Sequence, residues 1–151
     1  LFEKFGIFTK TELVSREEII YETYAKSINI EALTMIGMAG KQIIPAVIEY
    51  SKELADTINS VKAAGGDASI EKEQLKKVSE LLGKMQKALE KLRIEDKKAS
   101  EVEDPKKQAF YYKDKLIGCM QELRAPADEL EMIIDKKIWP LPTYGDLMFE
   151  V

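Results

Sequence analysis

Leu75-Lys-Lys-Val-Ser-Glu-Leu-Leu-Gly-Lys-Met-Gln-Lys-Ala-Leu-Glu-Lys-Leu92 is the stretch that decides the fold. Leu75, Val78, Leu82, Met85, Leu89 and Leu92 follow one another at spacings of 3, 4, 3, 4 and 3. That spacing keeps all six on one side of a helix and makes a coiled-coil-like seam. Glu73–Lys77 and Glu80–Lys84 stand one turn apart on the wet faces and support the same helix. The pattern predicts a helix from about Ala68 to Lys98. A single apolar stripe needs partners to cover it.

The partners lie on both sides. Upstream, Ser15-Arg-Glu-Glu18 has the form of a capping box, and helical pattern then continues to Ala64, where Gly65-Gly66 supplies a stop. Unbroken, that helix would be about 49 residues and roughly 73 Å long. Its second half carries the seam Ile43, Val47, Tyr50, Leu54 and Val61, with Ile58 beside it. Pro45 cannot donate a hydrogen bond to the carbonyl of Lys41, so a kink is expected there. Downstream, Asp104 suits an N-cap and Pro105 a first helical position. A third helix is predicted to about Asp135, with the seam Ala109, Tyr112, Leu116, Cys119, Leu123, Leu130 and Ile133. Pro126 should bend it. Three seams and two short connections give an all-α, antiparallel bundle of three long helices, the first the longest. The domain reading is a connection over 1–14, a helical bundle over 15–135 and an extended apolar docking tail over 136–151.

Paired back from Gly65, the second helix reaches the first only to about Leu33. The part from Arg16 to Ala32 should therefore overhang, yet it carries Ile19, Ile20, Tyr21, Tyr24, Ala25, Ile28 and Ile30. Exposed apolar surface of this kind marks an interface. Either a polypeptide upstream of Leu1 covers it, or residues 1–14 fold back over it. The absence of an initial Met favours a piece of something longer. The tail, Ile138 to Val151, holds the only tryptophan and two of the five prolines. Trp139 and Leu141 each precede proline and are pushed toward extended backbone. Trp139 and Tyr144 are its anchors, each with a large apolar body and one polar tip. Fully extended, the tail could reach roughly 50 Å, along its own bundle or across to a neighbouring subunit. Ile19, Ile20, Tyr24, Ile28, Trp139, Tyr144 and Phe149 are the candidate interface residues.

Chemistry is sparse. The 151 residues are 45% hydrophobic and 33% charged with a net charge of −4, as suits one soluble helical domain and no nucleic-acid or membrane surface. No window approaches the ~18 apolar residues of a membrane span. One cysteine, Cys119, allows no internal disulfide and fits a cytoplasmic address; on a seam it reads as an inert buried thiol. There is no histidine, which removes a Ser-His-Asp triad, a His-ligated haem and the Glu-x-x-His di-iron site. Glu17, Glu18 and Glu22 read as capping and dipole groups, Arg124 as an ion-pair partner of Asp128, and Met35, Met38, Met85 and Met120 as core fillers.

Four segments point to a family: Thr23-Tyr-Ala-Lys-Ser-Ile-Asn-Ile-Glu-Ala-Leu-Thr-Met-Ile36, Gln42-Ile-Ile-Pro-Ala-Val47, Glu122-Leu-Arg-Ala-Pro-Ala-Asp-Glu-Leu-Glu131 and Trp139-Pro-Leu-Pro-Thr-Tyr-Gly-Asp-Leu147. Together they resemble the C-terminal helical domain of type III glutamine synthetases. The likeness spans nearly the whole chain and is weakest between about Asn59 and Glu103. It implies a bacterial cytoplasmic parent that joins ammonia to glutamate using ATP and a divalent metal, Mg or Mn, and that assembles as a dodecamer. Catalysis would belong to an upstream catalytic domain. No catalytic, cofactor-binding or metal-binding residue is carried onto this chain. The expected role is a non-catalytic accessory domain that supports oligomer or interdomain packing. The alternative is a regulatory or partner-binding module.

Overall fold

Each apolar seam becomes one helical rod. The computed structural model describes residues 3–142 and 144–149, and for Lys4, Tyr144 and Gly145 only the backbone. After a 3-10 turn at Glu3–Phe5, the first rod consists of α1 (Lys10–Met38), a π-helical turn (Ala39–Ile43) and α2 (Ile44–Ala63). The second rod is α3 (Ser69–Ser100). The third consists of α4 (Pro105–Tyr111), a second π turn (Tyr112–Leu116) and α5 (Ile117–Glu131). A short α6 (Tyr144–Phe149) follows. No strand occurs among the described residues.

The ends of the rods follow from side-chain chemistry. Gly66 N–H donates to the carbonyl of Val61 and Gly65 N–H to that of Lys62, the paired bonds of a Schellman stop. Gly65 supplies the positive φ of 80° that the stop requires, and a Cβ at Gly66 would come within 2.9 Å of the Val61 side chain. Asp104 caps α4 by accepting from Lys107 N–H at 2.8 Å, with Pro105 in the first turn.

The first rod starts earlier than Ser15. Thr9 Oγ1 accepts from Glu12 N–H at 3.2 Å, and the Glu12 carboxylate accepts from Thr9 N–H at 2.7 Å. Two sequences of capping-box form compete, and the upstream one wins because it adds helical turns without losing a cap. Lys10–Val14 therefore extends the helix and does not fold back over it. At the other end, the third rod stops at Glu131, short of Asp135.

The irregularity expected at Pro45 is a π turn just before it. Ile44 N–H reaches past the usual acceptor to the carbonyl of Ala39. The wider turn accommodates the missing donor and the ring of Pro45, which enters α2 in its first turn. In the third rod the helix runs through the buried Pro126, and the irregular turn lies upstream, where Ile117 N–H donates to Tyr112 C=O.

The core lies between the rods. α3 packs on both α2 and α5, and α4 packs along α1. Val47, Val78, Met85, Leu89, Leu92, Leu116, Leu123 and Leu130 are fully enclosed. Ala25, Ala32, Ala39 and Ala46 recur every seventh residue along the first rod, and all four are buried. Their small side chains allow close approach of the facing rods, where a leucine would hold them apart.

Candidate functional site

The overhang is covered on one side only. α3 reaches back to Asn29, whose amide donates to Asp96 Oδ1 at 2.9 Å and to the Tyr112 hydroxyl at 3.1 Å. Beyond α3 the third rod takes over. Lys106 Nζ pairs with Glu17 at 3.2 Å, and the Tyr21 and Phe110 rings stand 6.2 Å apart. The inner face of α1 is thereby buried at Ala25 and Ala32, with Ile28 packed against the core.

The outer face stays bare. Ile19 is 58% exposed and Ile20 68%, with Val14, Ile30 and Leu33 also exposed. Tyr24 lies at the edge of this face. An apolar groove of about 250 Å³ opens beside it, lined by Ile20, Tyr21, Tyr24, Ala109, Phe110 and Lys113. Of the predicted interface residues, Ile19, Ile20 and Tyr24 are thus gathered on one surface. Ile28 belongs to the chain's own core.

The tail docks on its own bundle. Asp135 caps the turn into it, accepting from Lys137 N–H at 2.8 Å, and Trp139 N–H donates to Asp135 C=O. Trp139 is only 7% exposed and belongs to the main core cluster, with Ile138 and Leu141 packed against it. Its indole Nε1 is buried with no hydrogen-bond acceptor. Residues 136–138 form a turn, and the tail runs without regular structure only from residue 139 to 142. Beyond that α6 forms, because no proline follows Pro142 and Asp146 stands in the first turn. Lys136 pairs with Asp146 and ties α6 to the end of the bundle. Leu147, Met148 and Phe149 point outward, Phe149 80% exposed. The side chain of Tyr144 lies outside the described residues.

Beneath Trp139 is a second apolar pocket of about 300 Å³. Met35, Met38 and Met85 line it, as do Ala39 and Ile43 from the first π turn. Arg124, Asp128 and Glu131 form its polar edge. Three of the four methionines read as core fillers, Met35, Met38 and Met85, therefore also face a cavity, whereas Met120 does not line it.

Titratable groups show modest perturbation. Burial raises the Cys119 thiol above its ordinary range, which keeps it protonated and unreactive. Burial likewise raises the Asp96 carboxyl, partly offset by the hydrogen bond from Asn29. The Lys98 ammonium and the Tyr111 hydroxyl hold Glu95 below the usual carboxylate range. Among the described residues no cluster of three metal-ligating side chains occurs, and no helix is long and apolar enough to cross a membrane.

The chain resembles known proteins over this architecture. The model of a family described as the glutamine synthetase C-terminal domain matches residues 1–62. The whole chain is 39% identical to a glutamine synthetase of Butyrivibrio fibrisolvens, of which it covers 22%. It is 29% identical, over 99% of its length, to the type-3 glutamine synthetase of Dictyostelium discoideum, covering 21% of that protein. Over 95% of its length it is 30% identical to a glutamine synthetase of Bacteroides fragilis (strain YCH46), covering 20%. The chain thus spans about one fifth of the length of the curated relatives it matches.

Proposed function

We propose that this chain, whose residues 1–62 match the glutamine synthetase C-terminal domain family and which is 39% identical to a glutamine synthetase over its whole length, is a non-catalytic accessory domain of a bacterial type III enzyme. The parent reaction is the ATP-dependent amidation of glutamate with ammonia. Its nucleotide, its Mg or Mn and its reacting groups belong to an upstream catalytic region. The lack of any histidine and of a phosphate-cradling glycine loop in this chain supports that division of labour. The role of the domain is to pack against the catalytic region, and through it to support a cytoplasmic homo-oligomer, a dodecamer by resemblance.

The bare outer face of α1 carries this reading. Ile19 and Ile20 are exposed beside an apolar groove closed by Tyr24 and Phe110. In water that surface is unfavourable, and contiguous apolar surface of this kind suits an interdomain contact. Hydrogen exchange tests it. Amides of residues 19–30 are expected to exchange more slowly in the full-length enzyme than in this chain alone. Equal protection in both would remove the interface.

A partner-binding or regulatory role is the second reading, supported by the outward Leu147, Met148 and Phe149 of α6. Deletion of Ile138–Val151 from the full-length enzyme separates the two. Under the packing role the assembly changes size. Under the regulatory role the assembly and basal activity persist while an effector response disappears.

A further inference from the structure

The pocket beneath Trp139 has a chemistry that packing does not use. Its walls are apolar, with Met35, Met38 and Met85 on one side and the Trp139 strap on the other. Its polar edge comes from one helix face: Arg124, Asp128 and Glu131 stand at i, i+4 and i+7 on α5. Arg124 Nε and Asp128 Oδ2 lie 3.2 Å apart, so these two charges balance each other. Glu131 is half-buried and has neither an ion pair nor a side-chain hydrogen bond among the described residues. The mouth therefore carries one net negative charge beside an indole ring and three thioethers.

That combination selects a ligand class. A carboxylate drawn partly out of water is favoured by a cation within reach. An aromatic wall attracts the same cation through its π face. Methionines adapt to varied hydrocarbon shapes, and an apolar cavity with a few convergent polar groups is the usual form of a small-molecule site. The π turn Ala39–Ile43 at the pocket wall agrees, since such turns gather at functional sites.

We propose that this pocket binds a small organic ammonium ion. The hydrocarbon body lies among Met35, Met38 and Met85, and the ammonium group meets Glu131 at the mouth beside Trp139. The site is on the opposite part of the first rod from Ile19 and Ile20, so loss of either surface leaves the other intact.

The single tryptophan lines the pocket and reports its occupancy by fluorescence. Titration of the chain with n-hexylammonium chloride is expected to change the emission saturably. Sodium hexanoate at the same ionic strength, and hexanol, should bind at least about tenfold more weakly, as should n-hexylammonium to Glu131→Gln. Glu131 ends α5 at the surface, and an unchanged thermal midpoint of the variant confirms its fold. Ala127 also lines the cavity, so Ala127→Leu narrows it and should weaken n-hexylammonium without touching the charge. Equal affinity for hexanoate or hexanol identifies a nonspecific apolar cavity and overturns the proposal. So does an unaffected Glu131→Gln, or no saturable response below about 10 mM.

Discussion

Trp139 is held by area rather than by its polar tip. The ring is buried in the core, yet Nε1 lacks an acceptor. An orphaned donor of this kind costs about 1–3 kcal/mol, which the ring's burial must outweigh. Trp139→Phe removes the donor and keeps most of the ring, so it should change stability by under about 1 kcal/mol. Trp139→Ala should cost about 3–5 kcal/mol. Urea unfolding measures both, and a large loss in Trp139→Phe would mean that the N–H has a partner. Asp96 is the opposite case, a polar group kept where burial disfavours its charge. Its carboxyl titrates above the ordinary value of 3.8, so the native state binds more protons than the unfolded chain just above that pH. Stability contributed by this group therefore falls as pH rises from 3.8 through the native value, then stays level. Asp96→Asn keeps an acceptor for Asn29 and has no charge to desolvate. Its thermal midpoint relative to wild type should rise across that window and then plateau; a falling difference would reverse the sign. The tryptophan was legible in the sequence as an anchor because of its size and its Pro neighbour. Its seat was not, because chain reach limits distance but not direction. The Asn29–Asp96–Tyr112 cluster left no signal, since its members come from three rods.

At the scale of elements, what could be read depended on whether one physical choice stood alone. The seams of α3 and of the third rod follow from periodicity, and Val78, Met85, Leu89 and Leu116 are enclosed accordingly. Gly65-Gly66 and Asp104-Pro105 mark ends because no rival signal stands nearby. The start of the first rod had two rivals, Thr9-Lys-Thr-Glu12 and Ser15-Arg-Glu-Glu18. Thr9→Ala should lower the thermal midpoint by about 2–4 °C, whereas Ser15→Ala, mid-helix, should leave it unchanged or slightly raised. Equal losses in a calorimetric scan would restore Ser15 as the cap. The first π turn was legible as an irregularity at Pro45, though not as a π turn, whereas the second, Tyr112–Leu116, contains no proline and left no mark in the helical pattern. The buried alanines at 25, 32, 39 and 46 were present as a seven-residue repeat, but alanine is too weakly apolar to stand out in a seam search. Ala32→Leu tests their spacing role: forcing the rods apart should cost about 1–3 kcal/mol, and a neutral result in urea would show slack there.

Across the whole molecule, the rods divide the apolar surface unequally. α3 is flanked by two rods along most of its length, and Val78, Met85, Leu89 and Leu92 of its seam are enclosed, with Leu75 and Leu82 partly buried. The first half of α1 has mainly α4 for cover, and Ile19 and Ile20 remain in water. The isolated fold gains little from those two exposed side chains, and the proposed interdomain contact gives them a use. This makes a double substitution decisive. Ile19→Asp with Ile20→Asp should leave the chain's thermal midpoint within about 2 °C, because exposed positions contribute little to folding. In the full-length enzyme the same pair should place two charges in a dry contact and dissociate the assembly or loosen the domain. Differential scanning calorimetry of the chain and sedimentation velocity of the enzyme read the two halves separately. A midpoint that collapses in the chain would assign the isoleucines to its own core. An assembly that sediments unchanged would leave the outer face of α1 without a partner, and with it the packing role.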